Sequence, residues 1–217
     1  MIKVKQFHVG ILLFNEVDAM DFIGPYEVFN LSTHKVSDVQ KLFLNQLDLE
    51  EKPFIVNTVS EDGKPITVHN GLKVHPDYCF QTAPDFDIIV VPGGPYRAIK
   101  TVSQNKQIMS WISHQSKEKL ILSVCTGAFF LAQAGLLQGK QATTNQAALD
   151  LLEQSYPTVE VIRGVKFIDQ GNVVTAAGIS AGIDMSLHIV GRLLNEEAEI
   201  RTAQTIEYNK HSQAPTL

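Results

Sequence analysis

Short apolar runs rich in β-formers recur along this chain, and stretches with helical spacing separate them. His8 to Phe14, Pro53 to Ser60, Asp87 to Val91 and Leu120 to Val124 are the strand candidates. Helical spacing follows the first of them, at Ile23, Val28 and Leu31 within about Phe22 to Leu31. It recurs at Ile108, Met109, Trp111 and Ile112, from Thr126 to Leu137, and from Ala181 to about Tyr208. Strands this apolar must be covered on both faces, and strands alternating with helices pair in parallel. The expected fold class is therefore α/β, a flavodoxin-like three-layer sandwich whose mostly parallel sheet carries helices on both faces.

The rest of the chain fits around that frame. Ile66 to Val68 and Leu72 to His75 flank Asn70-Gly71, a strong hairpin signal. Two or three short strands are expected between Glu160 and Thr175. Lys35 to Glu51 is charged and poorly periodic, so it is expected as a surface excursion, and the tail after Tyr208 as frayed. With 217 residues and no break in composition, residues 1–217 are expected to form a single domain. A net charge of -5 without runs of Lys or Arg argues against nucleic acid or an anionic membrane as partner. No apolar run approaches the ~20 residues of a membrane span, and MIKVKQFHVGILLF lacks a cleavage signature. Two cysteines make no disulfide framework, which points to a reducing, cytoplasmic compartment.

One of those cysteines stands where a strand gives way to a helix, in LILSVCTGAFFLAQAGLL. Ligands of open α/β sheets gather outside the carboxyl ends of the strands, where this pattern puts Cys125. A strand, a sharp turn and a helix make a nucleophile elbow, with Gly127 as the small residue that close packing needs. Unpaired amides and the positive end of the helix dipole favour thiolate there. Free cysteines are also common as small buried hydrophobes, and that is the reading for Cys79, placed on a loop after the hairpin. Pro92-Gly93-Gly94-Pro95 ends a second strand and offers backbone amides to a bound group, or is an ordinary turn. In NEVDAMDFIGPYEVF, Asp18-x-x-Asp21 looks like a loose capping box, and pattern leaves open whether Asp21 caps the helix or does chemistry.

Taken together, MDFIGPYEVF, VVPGG, SVCTGAFFLAQAGLLQGKQATT and GISAGID resemble the ThiJ/PfpI superfamily, whose fold is like that of glutamine amidotransferases. Within it they are most similar to the isonitrile hydratase group. The resemblance covers nearly the whole chain apart from residues 35–51. It implies Cys125 as nucleophile, Asp21 as acid/base, and the backbone amides of Gly94 and Thr126 as stabilisers of the reacting group. It also implies a homodimer. Many relatives place Glu on the first helix, His directly after the cysteine, or TTH some twenty residues on. Here Thr126 follows the cysteine, and the later segment reads Thr143-Thr144-Asn145-Gln146. Asn145 cannot serve as a base. No histidine pair has the spacing of a zinc site, and neither metal nor other cofactor is expected.

The reaction so implied is a lyase reaction, hydration of an isonitrile to an N-substituted formamide through a thioimidate on Cys125. A thiolate, one carboxyl group and a water-poor pocket suffice for it. The expected substrate is small, neutral and apolar, in keeping with the lack of an arginine clamp or phosphate loop. Two alternatives stand beside it. One is a glyoxalase or deglycase acting on methylglyoxal-type carbonyls; the other is a non-enzymatic oxidation sensor built on a reactive thiol.

Overall fold

In the computed structural model, residues 5–115 and 119–209 are described. From residue 210 onward the expected frayed tail lies outside them. The chain runs β1 (Phe7–Leu12), α1 (Ala19–Asn30), α2 (Val36–Phe43), β2 (Phe54–Ser60), β3 (Ile66–Thr67), β4 (Lys73–Val74), β5 (Tyr78–Cys79) and β6 (Ile88–Val91). It continues through α3 (Tyr96–Gln104), α4 (Lys106–Gln115), β7 (Leu120–Val124), α5 (Gly127–Gln133), β8 (Gln141–Ala142), α6 (Leu149–Ser155) and β9 (Glu160–Val161). Last come β10 (Phe167–Asp169), β11 (Val173–Ala176), α7 (Ala181–Leu193) and α8 (Glu196–Thr205).

Seven strands form the central sheet, in the order β10-β11-β7-β6-β1-β2-β5. Every pairing is parallel except β10 with β11. Helices α1, α7 and α8 pack together on one face, and α3, α4 and α5 on the other. The sandwich has its three layers. β6, β7 and β11 are buried at every position, because a parallel sheet sheathed by helices leaves neither face to water. Aromatic rings fill the space beneath α1: Phe54 lies between Phe7 at 5.7 Å and Phe29 at 5.0 Å, centroid to centroid.

Several expectations need correction. The excursion at 35–51 contains helix α2 and a 3-10 turn at Leu49–Glu51, whose N-cap Asp48 and Glu51 form a capping box. Its apolar residues Val36, Phe43 and Leu49 face solvent, while Val39 and Leu42 are half-buried. Cys79 belongs to the edge strand β5 rather than to a loop. The helix expected around Trp111 is preceded by a separate one, α3, and Asn105 at the junction accepts the amides of Gln107 and Ile108. The last helical region is likewise two helices, with Asn195 capping the second. The hairpin is present, turning on Gly71 at φ 90, and its strands β3 and β4 are shorter than expected.

β1 is flanked by β2 on one side and β6 on the other, so successive crossovers leave in opposite directions beside it. A crevice opens at such a switch point, at the carboxyl ends of the strands. The segments after β1, β6 and β7 meet there.

Candidate active site

Cys125 follows β7 at once and takes φ 55, in the left-handed region. For a residue bearing a Cβ this conformation costs on the order of 1 kcal/mol or more and persists only when its surroundings impose it. They do so here. The Cys125 amide donates to the carbonyl of Ala177 at 2.8 Å, and its carbonyl accepts the Thr144 hydroxyl at 2.7 Å. The chain must then turn into α5 against the end of β6. A Cβ on Gly127 would strike the carbonyl oxygen of Val91, and one on Gly93 would strike Thr126. The two glycines are what allow the β6 and β7 loops to touch.

Thr126 locks that contact. Its hydroxyl donates to the Gly94 carbonyl at 2.6 Å and accepts from the Gly94 amide at 2.8 Å. The Gly94 N–H, expected to face a reacting group, is thus directed at Thr126 instead. It is the neighbouring Gly93 amide that reaches the site, donating to Asp21 Oδ2 at 3.0 Å. The amides of Thr126 and Ile179 act on the Cys125 sulfur. Ile179, at φ 39 in the turn before α7, escaped the sequence reading; the GIS triplet ahead of a helix was its one signal.

Asp21 sits in the first turn of α1 with no exposure to solvent, and its Oδ1 has no hydrogen-bond partner within bonding geometry. The Cys125 thiol lies beside the carboxyl. Burial pushes the Asp21 carboxyl up to about 7; the Gly93 amide and the nearby thiol oppose the rise, and the charge of Asp18 adds to it. Cys125 is 4% exposed, and burial together with the Asp21 charge pushes its thiol up to about 12. The direction is opposite to that expected of a thiol at a helix N-terminus. α5 is a short helix, and desolvation beside a carboxylate outweighs what the local amides give back.

Asp18 is the third acid. It stands at the N-cap of α1 yet makes no side-chain cap bond, so the capping box expected from Asp18-x-x-Asp21 does not form. Its carboxylate instead joins Asp21 and Cys125, with a carboxyl oxygen of each acid and the cysteine sulfur all within 4.8 Å of one another. Asn145 serves structure, capping its turn by accepting the Ala147 amide at 3.0 Å. With Thr144, Gly178 and Ile179 it lines an open groove of about 720 Å³ next to the elbow. Two cations in the groove wall are already paired, Arg163 with Asp150 and Glu153, and Lys166 with Asp184.

Fold and site define an α/β protein with a buried cysteine on a strand-to-helix elbow, faced by acids from the first helix. The chain belongs to the DJ-1/PfpI family, whose pattern matches residues 8–192. Isonitrile hydratase of Pseudomonas putida is 34% identical over 201 residues, 92% of this chain and 75% of that protein. The transcriptional regulator GbdR of Pseudomonas aeruginosa is 29% identical over 71% of this chain, which spans only 41% of the regulator. Among solved structures, a ThiJ/PfpI family protein from Pseudomonas syringae superposes with a TM-score of 0.80 at 21% identity, over 98% of this chain and 79% of that one.

Proposed function

We propose that the chain hydrates isonitriles to N-substituted formamides. The observation that carries this reading is the fully buried Asp21, with one carboxyl oxygen unpartnered beside the Cys125 thiol. Burial raises both the carboxyl and the thiol, and the charge of Asp21 raises the thiol further, so the pair keeps one proton after Asp21 ionises. That is the inventory needed to add S–H across an isonitrile carbon. The similarity to isonitrile hydratase over 92% of the chain supports the same chemistry.

In this mechanism the Asp21 carboxylate takes the thiol proton as sulfur attacks the terminal carbon, then delivers that proton to the same carbon. A C–S and a C–H bond form, leaving a thioimidate and the carboxylate as before. Water then adds to the thioimidate carbon, giving one proton to Asp21, which passes it to nitrogen. The C–S bond breaks as the new hydroxyl loses its proton to sulfur, releasing formamide and thiol. The sum is one isonitrile and one water to one formamide. A buried carboxyl and thiol favour a neutral substrate, and the groove lined by Thr144 and Ile179 is the open space adjoining the elbow from which one could approach. The same reading has the chain acting as a homodimer.

The test is incubation of the purified protein with an alkyl isonitrile and, separately, with methylglyoxal, following formamide and lactate by NMR. Formamide should appear, with kcat/KM rising with pH through about 7 as Asp21 ionises. Cys125→Ala and Asp21→Asn should each remove turnover. Lactate without formamide would assign the site to glyoxalase chemistry instead, and full activity in either variant would eliminate the mechanism.

A further inference from the structure

Asp18 has a place in the site that neither helix capping nor the mechanism above explains. A helix N-cap is where Asp ordinarily bonds the amides of the first turn, and Asp18 leaves them without its side chain. Its backbone is fixed, the amide donating to the Gly93 carbonyl at 2.9 Å and the carbonyl accepting the Asp21 amide at 3.2 Å. The side chain that results is half-buried and gathered with Asp21 and Cys125 within 4.8 Å.

Several other ionisable side chains around this corner have partners elsewhere. Glu16, in the same loop, is held by Arg97 of α3 at 2.7 Å. Asp184 of α7, which packs on α1, is bonded by Lys166 and by Tyr208, each at 2.9 Å. His188 and Arg192, further along α7, both bond Asp169. His69 of the hairpin approaches through its backbone, its amide donating to the Val17 carbonyl at 3.0 Å. His8 and Asp87 lie at the opposite end of β1 and β6, the His8 amide donating to the Asp87 carboxylate. The loop at Gly93 and Gly94 contributes backbone alone.

We infer that Asp18 is a positioning residue whose carboxylate, facing Cys125 and Asp21 together, keeps one proton on that pair. Without that negative charge the pair gives up its proton too readily, and the proton destined for the isonitrile carbon is lost to solvent. This role rests on the hydratase reading; the effect on the thiol does not, since like charges this close disfavour ionisation whatever the substrate.

Alkylation of Cys125 by iodoacetamide as a function of pH supplies the test, because only the thiolate reacts. Peptide mass spectrometry separates Cys125 from Cys79, which serves as internal control. Asp18→Asn should speed Cys125 alkylation about tenfold at fixed pH, a displacement of the profile toward acid by about one pH unit. Asp18→Glu should restore the parental profile, and Cys79 should be unaffected. If Asp18→Asn folds poorly, Asp18→Ser keeps a cap-competent side chain and replaces it. A variant profile that superimposes on the parent overturns the role, as does equal acceleration at Cys79, which would mark a general loosening. No substrate is involved, so a parent protein inert toward isonitriles removes the hydratase reading while leaving this result to be read. An unshifted profile in an active enzyme removes Asp18 alone.

Discussion

Replacing Asp21 by Asn should stabilise the protein while abolishing its activity. The buried carboxyl is pushed up from an ordinary 3.8 to about 7, so ionising it is unfavourable in the folded state. The sign follows from linkage. A carboxyl whose folded value lies above its unfolded value stabilises fully below pH 3.8, and that contribution is lost as pH rises through about 7. With each pH unit worth about 1.4 kcal/mol, the interval corresponds to about 4 kcal/mol above pH 8. Asn keeps an oxygen for the Gly93 amide, and its NH2 faces the acceptors Asp18 and Cys125 where Oδ1 had no partner. Little of the gain should therefore be lost to an unsatisfied group. Urea unfolding of parent and variant from pH 4 to 9 measures the difference directly. The two proteins should coincide near pH 4 and diverge through pH 5 to 7, with the variant ahead by up to about 4 kcal/mol at pH 8.5. An Asp21→Asn protein equal to or less stable than the parent at pH 8.5 would refute the burial reasoning, and with it the proton inventory assigned to the pair.

Two further substitutions test how the elbow is held. Thr126→Val strips the hydroxyl that satisfies both the amide and the carbonyl of Gly94 and should cost about 2–4 kcal/mol in urea unfolding, with Thr126→Ser recovering most of it. A cost below about 0.5 kcal/mol would mean that the glycine loop finds other partners. Gly127→Ala drives a methyl into the Val91 carbonyl, and should destabilise by about 3 kcal/mol and displace the thiol, read as slowed turnover beyond the change in stability. Unchanged kinetics in a well-folded Gly127→Ala protein would show that the β6 end yields.

Some of this was legible in residue order because it depends on neighbours along the chain. An unbroken apolar run has no polar face to turn toward water, so Ile88–Val91 and its counterpart Leu120–Val124 announced buried parallel strands. The cysteine directly after the latter announced an elbow. The hairpin around Asn70-Gly71 was readable because a positive φ at Gly71 is a local demand. Helix α2 escaped although Val36, Val39, Leu42 and Phe43 recur at helical spacing: the run is short, its flanks are charged, and none of the four is fully buried.

Residue order alone announced the sheet-and-helix layering, the position of Cys125 at a strand end, and the pair of acids at the start of the first helix. The fold was needed to show that Asp21 is fully buried while Asp18 is half-buried, which of Gly93 and Gly94 sends its amide to Asp21, and that the sulfur is desolvated beside a carboxyl. Each of these turns on desolvation and on contacts between segments far apart in the chain. A cysteine at a helix start reads as a thiolate from local dipoles, but once walled in beside a carboxylate it keeps its proton, because water that would have stabilised the charge is excluded.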